Sequence, residues 1–104
     1  YAGGHAFEHK PGAAVAVARR GGTSTTFDVL NTYFTIKQMP VVASTYWNNV
    51  FGRVPGDANG DAEGLATMRN IGKNMAWLLR CIEAGQAAGI NAPEADRATT
   101  NFIR

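Results

Sequence analysis

GAAVAVARRGGTSTT, residues 12–26, decides how this chain is read. Small apolar residues at 13–18 stop at two arginines and two glycines, and a hydroxyl-rich segment opens behind them. Alternating Ala and Val, with their thin side chains, suits a strand buried on both faces, as in a parallel sheet. Gly21 and Gly22 can take backbone angles that other residues avoid, and they let another molecule approach the main chain. The N–H groups that open a helix lack partners within it and are ready to receive an anion or a carbonyl oxygen. In open α/β sheets, ligands sit just beyond the carboxyl end of such a strand. The turn at 19–23 is therefore expected to be one wall of a ligand site.

Downstream, residues 24–38 predict a helix, with Thr23 or Ser24 as its N-cap and Asp28 in its first turn. Phe27, Leu30, Phe34 and Tyr33 recur at helical spacing, and Gln38-Met39-Pro40 ends the pattern. VVAST at 41–45 reads as a second buried strand, joined to the first by a right-handed crossover. Both strand ends then lie on one edge. Residues 46–60 form a long loop carrying Tyr46, Trp47 and Phe51. Tyr46 and Trp47 can stack on a planar ligand, meet a partner subunit or cap the local core; Phe51 is expected in the core. Residues 61–85 predict the clearest helix, capped by Asp61, with Glu63 in its first turn and Gly85 at its end. Its apolar face is Leu65, Met68, Gly72, Met75, Leu79 and Ile82, with Gly72 expected to allow close packing.

The two ends carry weaker patterns. In the leading loop, 1–11, His5 and His9 stand four apart beside Glu8, a spacing that can ligate a metal on a helix. The flanking Gly3, Gly4 and Pro11 favour a solvated loop instead, and no metal site is expected. Residues 86–104 read as a surface tail in which Phe102 and Ile103 can dock on a neighbour.

Composition limits the function. The 104 residues suit at most one small domain, 45% apolar and 17% charged, with a formal net charge of +2. That charge, with no basic stripe, gives no footprint for nucleic acid. A single cysteine, Cys81, excludes an internal disulfide and a cysteine-only metal site, and its apolar helical setting predicts a buried, inert thiol. No window suits a membrane span, so a cytoplasmic protein is expected. Two both-face-buried strands with two helices leave apolar edges uncovered, so the chain is expected to be half of a larger sheet.

KPGAAVAV at 10–17, GGTSTTFDVL at 21–30, MPVVAS at 39–44 and GDAEGLATMRNIGKNMA at 60–76 resemble, in order and spacing, the C-terminal half of flavodoxin-like NAD(P)H-dependent FMN reductases. The multimeric flavodoxins and iron–sulfur flavoproteins are the nearest likeness. The resemblance covers about residues 10–85 and implies a three-layer α/β/α fold with a parallel sheet, of which the β-α-β-α portion is present. The expected division is a leading loop at 1–11, a core at 12–85 and a tail at 86–104. The family's phosphate-binding loop and any cluster cysteines fall in the other half. By resemblance, Arg19, Arg20, Gly21, Gly22 and Thr23 line the flavin ring, and Tyr46 and Trp47 approach the flavin or nicotinamide, across a homo-dimer or tetramer interface if need be. Arg19-Arg20 replaces the small or hydroxyl residues of many relatives, and a solvated turn or an interface ion pair is the other reading of the two arginines.

The implied function is an oxidoreductase in which non-covalently bound FMN takes hydride from NAD(P)H and passes electrons to a quinone or a second flavin. The alternatives are a non-enzymatic electron-transfer or binding module on the same fold, or a fragment that cannot hold flavin alone.

Overall fold

A computed structural model describes residues 5–100; Tyr1, Gly3, Gly4, Phe102 and Ile103 lie outside them. The elements run β1 (Ala16–Ala18), α1 (Thr23–Thr35), β2 (Asn49–Phe51), a short 3₁₀ turn (Asp57–Gly60) and α2 (Ala62–Ala87). The strands are parallel, with Ala16 opposite Asn49, Val17 opposite Val50 and Ala18 opposite Phe51. The class is thus α/β, a small parallel sheet with two helices in β-α-β-α order.

The second strand is not where its sequence pattern places it. Of VVAST, Val41 alone pairs, in an isolated parallel bridge to Gly12. Regular pairing resumes only at Asn49, inside the expected loop. Between these two contacts three residues of the first chain segment, 13–15, face seven of the second, 42–48. The surplus leaves the sheet as an excursion that carries Ser44, Thr45, Tyr46 and Trp47 outward, while Val42 stays buried as its anchor.

Burial along residues 14–17, leading into β1, alternates. Ala14 and Ala16 are buried, but Val15 and Val17 are 44% and 64% exposed. The strand is therefore covered on one face among the described residues, not on both. The shape is correspondingly open, with a radius of gyration of 17.5 Å against ~13 Å for a compact chain of this length.

Gly22, at φ 84°, is the N-cap of α1 and makes no side-chain cap bond. Neither Thr23 nor Ser24 caps the helix as expected, and no acidic residue falls in its first turn. Within the helix, the hydroxyls of Thr26, Thr32 and Thr35 donate to the carbonyls of Gly22, Val29 and Thr32. It ends when Gln38 turns left-handed at φ 56°, with Met39 N–H donating to the Phe34 carbonyl.

On α2, Asp61 caps as expected, accepting from Gly64 N–H at 2.9 Å. At Gly64 the helix lies close against β2, since a Cβ there would meet the Asn49 carbonyl at 3.1 Å. The buried stripe is Gly64, Thr67 and Ile71, one position away from the expected face. Leu79 is 48% exposed, and Cys81 is exposed rather than buried. The stop is also displaced, from Gly85 to Gly89 at φ 84°. There Ile90 N–H donates to Gly85 and Gly89 N–H to Gln86, the paired bonds of a Schellman ending.

The leading loop is tied to the tail by Glu8, which sits between His5 Nδ1 and the Arg97 guanidinium. Those contacts, His5 first and Arg97 second, lower the Glu8 carboxyl from 4.5 to about 2. No group of three or more His, Cys, Asp or Glu residues among the described residues is placed to hold a metal.

Gly72 faces open space, and a Cβ added there would meet nothing within 4 Å, so close packing does not explain it. Gly72→Ala is expected to raise the unfolding free energy by about 0.5–1 kcal/mol, through helix propensity alone. Urea unfolding followed by circular dichroism measures it.

Candidate functional site

β1 and β2 run parallel, so both carboxyl ends open on one edge, and a cleft of about 330 Å³ lies there. One wall is the turn after β1, with Arg20, Gly21, Gly22 and Thr23, followed by Ser24 and Thr25. The other wall is Tyr46 and Trp47 from the excursion, with Asn49 and Phe51 from β2. Six of the seven residues singled out in the sequence meet here. Arg19 does not line the cleft. Phe51 does, at 39% exposed, instead of packing in the core.

The first wall is a set of donors. Thr26 N–H donates to the Gly22 carbonyl at 3.1 Å, so the N–H groups of Thr23, Ser24 and Thr25 precede the first bond of the helix. They carry the positive end of the helix dipole. Arg20 is exposed beside them and adds a guanidinium. The opposite wall is aromatic. The Tyr46 and Trp47 rings lie 5.0 Å apart at 60° to each other and are 56% and 55% exposed. Tilted and open, they leave ring faces available to a planar guest.

The excursion that presents these rings is held by asparagines that the sequence pattern does not reveal. Asn48 is 1% exposed. Its Nδ2 donates to the Ala14 carbonyl at 2.9 Å, supplying a bond to the first strand where ladder pairing is interrupted. Its Oδ1 lies 2.6 Å from the Ser44 hydroxyl, which also reaches the Tyr46 carbonyl at 2.6 Å. From α2, Asn74 donates to the Ala43 carbonyl and Asn70 to the Thr45 hydroxyl. Asp61 fixes the end of β2, since its Oδ2 accepts from Phe51 N–H at 2.9 Å.

Asn49 is the exception among these polar groups. It is 8% exposed and its Oδ1 has no hydrogen-bond partner. It stands on the wall between the cleft and a smaller hollow of about 220 Å³, which shares Tyr46 and Phe51. A larger groove of about 610 Å³ lies toward the far end of α2, lined by Leu79, Ile82 and Ile90, and it brings His9 and Cys81 together. None of the cleft residues reaches it.

Over 87 aligned residues the chain is 37% identical to an iron–sulfur flavoprotein of Methanocaldococcus jannaschii, a match covering 77% of this chain and 45% of that protein. The chain thus spans less than half of that relative's length. No protein-family model matches the chain, and no solved structure matches it.

Two measurements check this geometry. Asn48→Ala strands the Ala14 carbonyl and is expected to cost about 1–3 kcal/mol, read as a lower urea midpoint. Asp61 is the second. The N–H groups of Gly64 first and Phe51 second hold its carboxyl below the ordinary value of 3.8. Its stabilising bonds are thus complete above that value and are lost as pH falls through the lowered one. Melting temperatures from pH 7 down to 2 should fall less steeply for Asp61→Ala than for the wild type below about pH 4, from a lower starting point at pH 7.

Proposed function

We propose that the cleft at the strand ends holds the ring system of a flavin, and that the protein is an FMN-dependent oxidoreductase using NAD(P)H. The observation that supports this best is convergence: a donor-rich helix start, Arg20 and two open aromatic rings line one cleft. Its volume lies at the lower end of the ~300–1,000 Å³ common for small-molecule sites. The name of the similar protein, a flavoprotein, points the same way.

The residues present fit the group. Thr23, Ser24 and Thr25 N–H donate to ring carbonyls, Tyr46 or Trp47 stacks on the ring, and Arg20 balances negative charge. When bound, flavin mononucleotide supplies hydride acceptance from NAD(P)H and electron delivery to a quinone or second flavin. The chain's part is to bind, orient and exclude water. An iron–sulfur cluster of the kind in the similar protein's name would need cysteines from outside this stretch of sequence. Such clusters take four thiolates, and this chain has one cysteine.

The proposal extends to a cytoplasmic homo-dimer or tetramer. Val17, Tyr33, Ile36 and Trp77 are each 64% exposed or more, apolar side chains that contacts between subunits would cover. No helix among the described residues is long and apolar enough to cross a membrane.

The test is a titration of the chain with FMN, following tryptophan fluorescence in a Trp77→Phe background so that Trp47 reports. Saturable quenching is expected, with affinity about threefold to tenfold weaker in Arg20→Ala, the loss of one exposed charged contact. No quenching and no change in the flavin absorption bands would contradict the reading that this chain holds flavin by itself. Binding without NAD(P)H oxidation would favour an electron carrier instead.

A further inference from the structure

We infer that Asn49 sets the cleft's choice of ligand: its side-chain oxygen accepts a hydrogen bond from the ring N–H of an oxidised flavin. This rests on the flavin reading above and adds to it the group that is recognised.

Asn48 and Asn49 are adjacent, both buried, and opposite in circumstance. Asn48 has a partner at each end of its carboxamide. Asn49 Oδ1 is sealed from water and has none. A buried acceptor without a donor is costly to the fold and rare in native proteins. The residue that carries it, moreover, lines a cleft whose other polar groups suit a ligand.

Those other groups include three backbone N–H groups and a guanidinium, which only donate, beside the hydroxyls of Thr23, Ser24, Thr25 and Tyr46, which donate and accept. Those that only donate call for acceptor atoms and would suit any anion. Asn49 Oδ1 calls for the reverse. A carboxylate or a phosphate dianion has no proton to give and leaves Asn49 unpaired. An oxidised isoalloxazine ring has a single N–H, at N3, between two carbonyls. Its edge reads acceptor, donor, acceptor, so it can meet the cleft's donors and give Asn49 Oδ1 a proton at once. Tyr46 and Phe51 border both hollows that Asn49 divides. For the ring to reach the carboxamide, the exposed Tyr46 side chain must move aside. Recognition of this kind discriminates strongly, because an analogue without the N–H leaves the protein's acceptor unpaired.

The experiment compares FMN with N3-methyl FMN, binding each to the wild-type chain, to Asn49→Ala and to Asn49→Leu, by fluorescence quenching. Methylation is expected to weaken binding to the wild type about tenfold. It should leave the affinity of both variants unchanged, and these should bind FMN about as weakly as the wild type binds the methylated flavin. Without ligand, Asn49→Leu should melt no lower than the wild type, because it removes an unsatisfied buried group. Equal binding of the two flavins to the wild type overturns the inference and leaves the flavin reading standing; this comparison needs no variant to fold. A methylation penalty of the same size in wild type and variants is steric, and overturns it too. Failure of FMN to bind the wild type at all removes the reading that this chain holds flavin by itself, and the role of Asn49 with it.

Discussion

The hydrogen bond from Asn48 to the carbonyl of Ala14 holds this structure's two halves in register. Ladder pairing breaks after Gly12 and Val41 and is restored at Ala16 and Asn49. In the gap, the Asn48 carboxamide takes the place of a backbone donor. One side chain thereby satisfies a strand carbonyl, holds the Ser44 hydroxyl and fixes where β2 begins. The excursion is constrained from α2 as well, through Asn70 and Asn74. The aromatic wall of the cleft therefore hangs on a set of polar bonds together with the buried Val42. That suits a region that must project rings outward and still keep one conformation.

The stretch at 12–26 is legible for a physical reason: its apolar run, glycine pair and hydroxyl cluster each demand a local geometry, and strand, turn and helix follow at those places. The second strand is harder to read. VVAST has the β-branched composition of a strand, yet Asn48 and Asn49 move the pairing eight residues beyond Val41. Composition carries no trace of a side chain substituting for a ladder bond. Tyr46 and Trp47 still reach the cleft, although they precede β2 instead of following it. Phe51 reads as a core residue because aromatics usually pack inside; in the structure it ends β2 at the cleft. Asn49 has no sequence signal at all, since its meaning lies in a partner it lacks.

On α2, periodicity finds the helix but sets its buried face one position off, because Gly64 and Thr67 rather than the longer Leu65 and Met68 approach the sheet. Small residues allow that approach, and the larger ones flank it half-buried. The thin covering explains why so much apolar surface stays exposed, at Val15, at Val17 on β1 and at Trp77 on α2. Charge and stacking are thus gathered at one edge of the sheet while the face bearing Val15 and Val17 remains open.

The central claim is that a flavin ring enters between the turn after β1 and the excursion before β2. Amide-resolved NMR of the chain, recorded with and without FMN, tests it most directly. The expected result is shift changes concentrated at residues 20–25 and 46–51, the two walls of the cleft. Changes centred on residues 79–92, around the groove at the far end of α2, or no changes at saturating flavin, would contradict it.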